Sequence, residues 1–348
     1  MNFSRAIAAA LAAALLFGAS TPFAKVLTGE LPAMLLAGLL YLGSGVGLWI
    51  ARVVRDRGFA SPNLPGVEWP CLAGAIVFGG VLGPVLLMYG LKQTSASDAS
   101  LLLNLEAVLT AILAWVVFRE NADRRIVLGM ALIVAGGVVL AWPAGGVAKS
   151  STNGALAVAG ACLCWAIDNN LTRKVSASDA LFIAGTKGLV AGLINLVLAF
   201  SVGASPPTWQ VASEAMVIGL LGYGISLVLF VLALRDLGAS RTGAYFSTAP
   251  FIGAAIAIAF FHEPASAVFW LAAVLMSLGV WFHLSERHEH DHTHEALTHA
   301  HRHRHDEHHQ HAHDFPWDGR EPHTHEHRHE PITHRHPHYP DVHHQHRH

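Results

Sequence analysis

The chain has 348 residues, of which 53% are hydrophobic and only 13% are Asp, Glu, Lys or Arg. Soluble domains carry about 25% charged residues, so the composition excludes an ordinary water-soluble enzyme. Up to Arg287 there are 16 Lys and Arg against 13 Asp and Glu, and from His288 onward 6 against 11, so balances of +3 and −5 give the net −2. No basic patch for nucleic acid is present.

Apolar stretches then follow in chain order, each close to the roughly 20 residues that cross a bilayer as a helix. Ten are read. The first five are Ile7–Lys25, Ala33–Arg52, Cys71–Leu91, Ser97–Phe118 and Ile126–Trp142. The second five are Gly154–Thr172, Ala180–Val202, Glu214–Leu234, Thr242–Phe261 and Ala265–Leu284. Arg5 before an Ala- and Leu-rich run loosely fits a cleavable signal peptide, but the repeat described below needs this segment as a span. Cys71, Cys162 and Cys164 lie in or beside apolar stretches; Cys162 and Cys164 are one residue apart, too close for a thioredoxin-like pair. They read as small apolar residues.

Positive charge sets the orientation. With a cytoplasmic N-terminus, the inner segments hold twelve Lys and Arg (Arg5, Arg52, Arg55, Arg57, Arg119, Arg124, Arg125, Arg173, Lys174, Arg235, Arg241, Arg287), and the outer ones hold Lys25, Lys92 and Lys149. Both termini are then cytoplasmic, in a bacterial inner membrane.

The two sets of spans repeat at an offset of 143 residues: Leu91-Lys92 with Leu234-Arg235, Ala96-Ser97 with Ala239-Ser240, Phe118-Arg119-Glu120 with Phe261-His262-Glu263, and Gly79 with Gly222. Five spans per half is an odd number, so the halves cross the membrane in opposite senses. Inverted repeats of this kind are common in secondary transporters, with the substrate site near the midplane between them. The predicted fold is an all-α membrane protein of about ten transmembrane helices in two inverted five-helix repeats, over residues 1–145 and 152–286, with a tail over 287–348. Gly43, Gly45, Gly47, Gly79, Gly80, Gly83, Gly188, Gly192, Gly219, Gly222 and Gly224 read as sites of close helix packing rather than as substrate contacts.

The run Phe17-Gly18-Ala19-Ser20-Thr21-Pro22-Phe23-Ala24-Lys25, with Glu120 and Glu263 just after the fourth and ninth spans, resembles the EamA-type drug/metabolite transporters over about residues 5–285. The resemblance implies a solute transporter of ten spans. One departure stands out. The ninth span has Pro250 early, and family members often have a proline at the matching place in the fourth; here that place is Ala107, after Glu106, and the expected helix break is absent from the sequence pattern.

Ionisable residues inside spans are costly and are functional candidates. Glu106 follows Asn104 in the fourth span, Asp168 stands with Asn169 and Asn170 late in the sixth, and Lys187 lies within the seventh. Lys187 is expected to pair with Glu106 or Asp168 in one conformation, and one carboxylate to release its partner when a proton or substrate binds. A permanent structural ion pair is the alternative, as is pairing of Asp168 with nearby Arg173 and Lys174. Pro22 either kinks or ends the first span. His262-Glu263-Pro264 lacks the second histidine of a zinc-protease motif.

Of the 25 histidines, 23 fall in the tail. They alternate with other residues: His288, His290, His292, His294; His299, His301, His303, His305; His323, His325, His327, His329; His334, His336, His338. Too few apolar residues are present for a core, so an unstructured tail is expected. Neutral imidazole binds Ni, Co and Zn, and the tail is expected to bind such metals as sensor, buffer or concentrator; a pH-responsive charge brush is an alternative. No cofactor is required. The favoured function is alternating-access transport of a small organic metabolite or drug-like solute, with Ni, Co or Zn as the competing cargo and a non-transporting metal sensor as the third reading. No enzymatic role is expected. The expected partners are the cargo, the lipid bilayer and a second copy in a homodimer.

Overall fold

The computed structural model describes residues 3–59, 61–62, 64–118, 124–141, 152–175 and 178–284, and tail residues 289–294, 297–303, 323–329 and 332–337. Among these the chain is helical except for loops and the tail. Among the described residues six helical stretches are long and apolar enough to cross a membrane: Ser4–Leu27, Ala33–Asp56, Gly66–Gln93, Thr152–Thr172, Ala180–Ser201 and Trp209–Ala233. Shorter apolar helices cover Val127–Ala141, Ala249–Phe261 and Ala267–Phe282.

α1 (Phe3–Leu27) carries Pro22 inside it, so the proline does not end the helix. α2 (Ala33–Asp56) ends at Arg57, whose left-handed φ of 54° closes the last turn. α3 (Trp69–Ala75) passes through a π-helical segment, Ile76–Leu82, into α4 (Gly83–Gln93). α5 (Ala96–Leu102) and α6 (Leu105–Phe118) share one apolar stretch, and α7 (Arg124–Ala141) follows. The second series is α8 (Thr152–Val175), α9 (Ala180–Ser201), α10 (Trp209–Gly219), a second π-helical segment at Leu220–Ile225, α11 (Ser226–Phe246), α12 (Ala249–Phe261) and α13 (Ala267–Leu284). Gly79 and Gly222, aligned in the sequence, fall in the two π segments.

The loop expected between Leu234 and Thr242 is instead part of α11, whose backbone stays helical through it. The chain nevertheless reverses within this element. Ser226 reaches the Ala13 carbonyl and Ala233 packs with Ala6 and Ala10, whereas Phe246 returns to Phe17 and Phe261 to Phe23.

α2 and α9 form the central seam. A Cβ at Gly45 would lie 2.2 Å from the Leu189 nitrogen, and one at Gly188 would lie 2.5 Å from the Gly45 nitrogen. Gly192 faces Leu42 and Gly38 faces Leu196, so the two helices run antiparallel with their backbones in contact. At one end of the seam, buried Arg52 lies 5.2 Å from the ring centres of both Trp49 and Phe182 and 3.4 Å from Asp179. Arg55 also binds Asp179, which accepts from the Leu181 amide (2.9 Å) as the N-cap of α9. Burial raises the Asp179 carboxyl pKa, but the Arg55 and Arg52 hydrogen bonds and the Leu181 amide outweigh it and hold the group below its usual range.

At the end of α1, the Lys25 ammonium donates to the carbonyls of Leu91 and Thr94, the latter at 2.7 Å, closing the C-terminal end of α4. The Glu263 carboxylate accepts from the Ala96 and Ser97 amides at 2.9 and 2.8 Å, so it caps α5. Glu120 lies outside the described residues.

In the tail four short extended segments are described. β1 (Glu289–His294) pairs antiparallel with β4 (Ile332–Pro337), and β2 (Leu297–His303) with β3 (His323–His329). Alternation of histidine with other residues has the period of two that a strand requires. His288, His305 and His338 lie outside the described residues, as do the side chains of the other tail histidines.

Candidate functional site

The polar face of α8 meets α9, α6 and the first π segment. Lys187 is buried and donates to both Asp168 oxygens, Oδ1 at 2.5 Å and Oδ2 at 2.7 Å. Thr172, one turn beyond Asp168, donates to Oδ1 at 2.8 Å and accepts from Lys187 Nζ at 3.3 Å. Of the partners offered by the sequence, Lys187 therefore takes Asp168. An isolated charge at such a place would cost several kcal/mol; here each charge has its counter-charge.

The carboxylate has room because residue 79 is glycine. A Cβ there would lie 1.9 Å from Asp168 Oδ2. The π segment also turns carbonyls away from the helix ladder, and side chains of neighbouring helices occupy them. Gly79 O accepts from the Tyr41 hydroxyl (2.6 Å) and Trp165 Nε1 (3.0 Å), and Gly80 O accepts from Asn195 Nδ2 (3.1 Å). π segments occur frequently at functional sites.

Glu106 stands apart from the ion pair. It is partly buried in the first turn of α6, and its Oε1 accepts from Nδ2 of exposed Asn169 at 2.8 Å. The helix break that the missing proline left unexpected is present just before it: α5 stops at Leu102 and α6 begins at Leu105. Asn104 lies in the break itself, three residues before Ala107. Its side-chain amide donates to the Leu101 carbonyl at 2.9 Å, and the Cys162 thiol reaches the Leu102 carbonyl at 3.7 Å. The Leu101 carbonyl also accepts from the Asn104 backbone amide at 3.1 Å, and the Leu103 carbonyl from the Glu106 amide at 3.1 Å, so turn hydrogen bonds bridge the break.

The second half breaks at the matching place. α11 ends at Phe246 and α12 begins at Ala249, with Pro250 in its first turn, and Thr248 Oγ1 donates to the Tyr245 carbonyl at 2.6 Å. Phe17 bridges the two regions. Its ring centre lies 6.3 Å from Trp165, 6.0 Å from Tyr223 and 5.4 Å from Phe246, and Tyr223 lies 5.4 Å from Tyr41. Trp165 and Asn169 are one turn apart on α8, which places this aromatic cluster next to Glu106.

Sequence reasoning brought out Asn104, Glu106, Asp168, Asn169 and Lys187, and all five fall around α8, α9 and the α5–α6 break. It missed Thr172 and the aromatic cluster. Thr172 is four residues after Asp168 and was legible from helical spacing; Tyr41 and Tyr223 come from distant helices and had no local signal. A separate cleft of about 440 Å³, lined by Phe23, Val26, Val217 and Phe261 with Glu214 at its edge, lies on exposed apolar surface. Acyl chains fill such a surface in a bilayer, so it is set aside as a site.

These features define a multi-pass helical membrane protein with a polar, charge-paired interior. Its sequence matches the EamA-like transporter family twice, over residues 4–142 and 152–285. The chain belongs to that family. An uncharacterized transporter of Methanothermobacter thermautotrophicus is 25% identical over 285 residues, covering 78% of this chain and 83% of that protein. The uncharacterized transporter YyaM of Bacillus subtilis is 28% identical over 221 residues, covering 59% and 70%. One solved crystal structure covers 79% of this chain and 95% of its own at a TM-score of 0.58 and 21% identity, a likeness of fold.

Proposed function

We propose that the protein is a secondary transporter of a small organic solute, working by alternating access between two inverted five-helix halves in a bacterial inner membrane, with both termini in the cytoplasm. The observation that carries this reading is the pair of helix breaks, Leu103–Asn104 and Ser247–Thr248, at matching places in the two halves with Glu106 beside the first. Interrupted helices at corresponding positions of two repeats point to the binding site of a transporter. Glu106, bonded to a neutral amide, is the group that exchanges a proton, and Lys187, bonded to Asp168, is the cation it competes for. A switch of Lys187 from Asp168 to Glu106 is the conformational step that drives coupling.

The tail favours a second reading, in which Ni, Co or Zn is the cargo and the histidines from His288 to His338 concentrate or sense it. Flux into proteoliposomes, comparing the full chain with one stopped after Ser285, separates the two. Organic solute moving through both forms supports the first reading. Ni, Co or Zn moving through both makes metal the cargo, and absence of any flux overturns transport altogether.

A further inference from the structure

We infer that the tail holds two transition-metal ions, each between four histidines that a pair of strands places on one face. His290, His292, His334 and His336 form one set, and His299, His301, His325 and His327 the other. The inference goes beyond the transport reading and holds whichever cargo crosses the membrane. It starts from a direct repeat. The segment His288–His303 recurs as His323–His338, an offset of 35 residues, with all seven histidines kept. Glu295 and Thr298 recur as Glu330 and Thr333, and Ala296-Leu297 is answered by Pro331-Ile332.

The two copies pair antiparallel in a single register, from Glu289 opposite Pro337 to His303 opposite His323. Histidine thereby meets histidine. In one ribbon His290 stands opposite His336 and His292 opposite His334. In the other, His299 stands opposite His327, His301 opposite His325 and His303 opposite His323. His294 and His329 stand opposite Ile332 and Leu297 and are left out of the sets. Residues two apart on a strand share a face, at a spacing of about 7 Å, and opposed residues have Cβ atoms about 5 Å apart. Four imidazoles at the corners of such a rectangle can converge on one ion, which they bind at about 2.0–2.1 Å.

The charged residues of the strands take the alternate positions. Glu289, Asp291 and Glu326 balance Arg302, Arg328 and Arg335, and Asp291 stands opposite Arg335. The histidine face therefore offers neutral nitrogen and no carboxylate, which suits Zn, Ni, Co or Cu and not Mg or Ca. Among the described side chains no three His, Cys, Asp or Glu gather into a metal site, so no competing set stands among them.

The test is zinc stoichiometry of the purified full chain in detergent, by equilibrium dialysis against ZnCl₂ buffered with nitrilotriacetate so that only tight sites fill. The native chain is expected to hold two zinc ions. His301→Asn with His325→Asn, which removes the central opposed pair of one ribbon, should hold one. Adding His292→Asn and His334→Asn should leave none. His311→Asn with His313→Asn removes as many histidines outside the strands and should still hold two, and excess MgCl₂ should displace neither ion. Four ions on the native chain, one for each alternating set, would mean that each set binds alone and would overturn the inference. Equal loss from the strand variant and the His311, His313 variant overturns it as well, as does filling without a plateau. Flux in proteoliposomes decides the cargo separately: two ions on the tail with no zinc flux keeps the sites and removes zinc as cargo.

Discussion

Gly79 and Asp168 are complementary in volume: the carboxylate of one occupies the space where any side chain at the other would begin, 1.9 Å from its Oδ2. The ion pair with Lys187 therefore depends on a residue that bears no charge. Gly79→Ala should force the carboxylate off Lys187 and destabilise the protein by about 1–3 kcal/mol. Gly66→Ala, where a Cβ would meet nothing within 4 Å, is the matched control. Thermal unfolding of both variants in detergent checks this, and equal melting temperatures would refute it.

Lys187→Ala leaves Asp168 buried without its counter-ion, and Asp168→Asn leaves Lys187 so. Each single change is expected to cost about 3–5 kcal/mol. The double variant should lose clearly less than the sum of the two, because it removes both charges. If Lys187→Ala lowers yield while uptake per folded molecule stays at the wild-type level, the pair is structural and the coupling step proposed for it is wrong.

Acid should loosen the end of the α2–α9 seam. Burial raises the Asp179 pKa, but its bonds to Arg55 and Arg52 lower it further, so the folded value lies below the unfolded one. The stabilisation is therefore fully present above the unfolded value of about 3.9 and is lost as pH falls through the folded value. Melting temperature measured from pH 6 downward, roughly to the limit of detergent stability, should fall more steeply in wild type than in Asp179→Asn. Asparagine retains an oxygen to cap Leu181, so the comparison isolates charge.

Glu263 accepts two amides at the start of α5. Glu263→Ala is expected to cost about 0.5–2 kcal/mol, the range for a lost N-cap, and Glu263→Gln to recover part of it with one oxygen. Hydrogen exchange at Ala96 and Ser97 should accelerate in the alanine variant, and unchanged protection there would contradict the capping role.

The spans were legible because hydrocarbon imposes a length on them, and Lys187 with Asp168 was legible because charge in an apolar stretch demands a partner. The α5–α6 break was not. The expected marker was a proline at position 107, whereas the break lies at Leu103–Asn104, where the Asn104 side-chain amide bonds the Leu101 carbonyl. The π segments left no local trace either; in the first, Tyr41, Trp165 and Asn195 from three other helices bond the carbonyls of Gly79 and Gly80. The aromatic cluster around Phe17 unites residues more than a hundred positions apart, and only the packed chain brings them together.

Side chains that interlock must change rotamer before two helices can shift, and each such change resists motion. At Gly45 and Gly188 there is nothing to unlock, since main chain rests on main chain. The seam between α2 and α9 thus acts as a spacer of minimum thickness: it sets how close the two halves of the chain can stand, with the Arg52–Asp179 bond pinning one end. A methyl group at either glycine would act as a wedge, thickening that spacer without touching any charged residue.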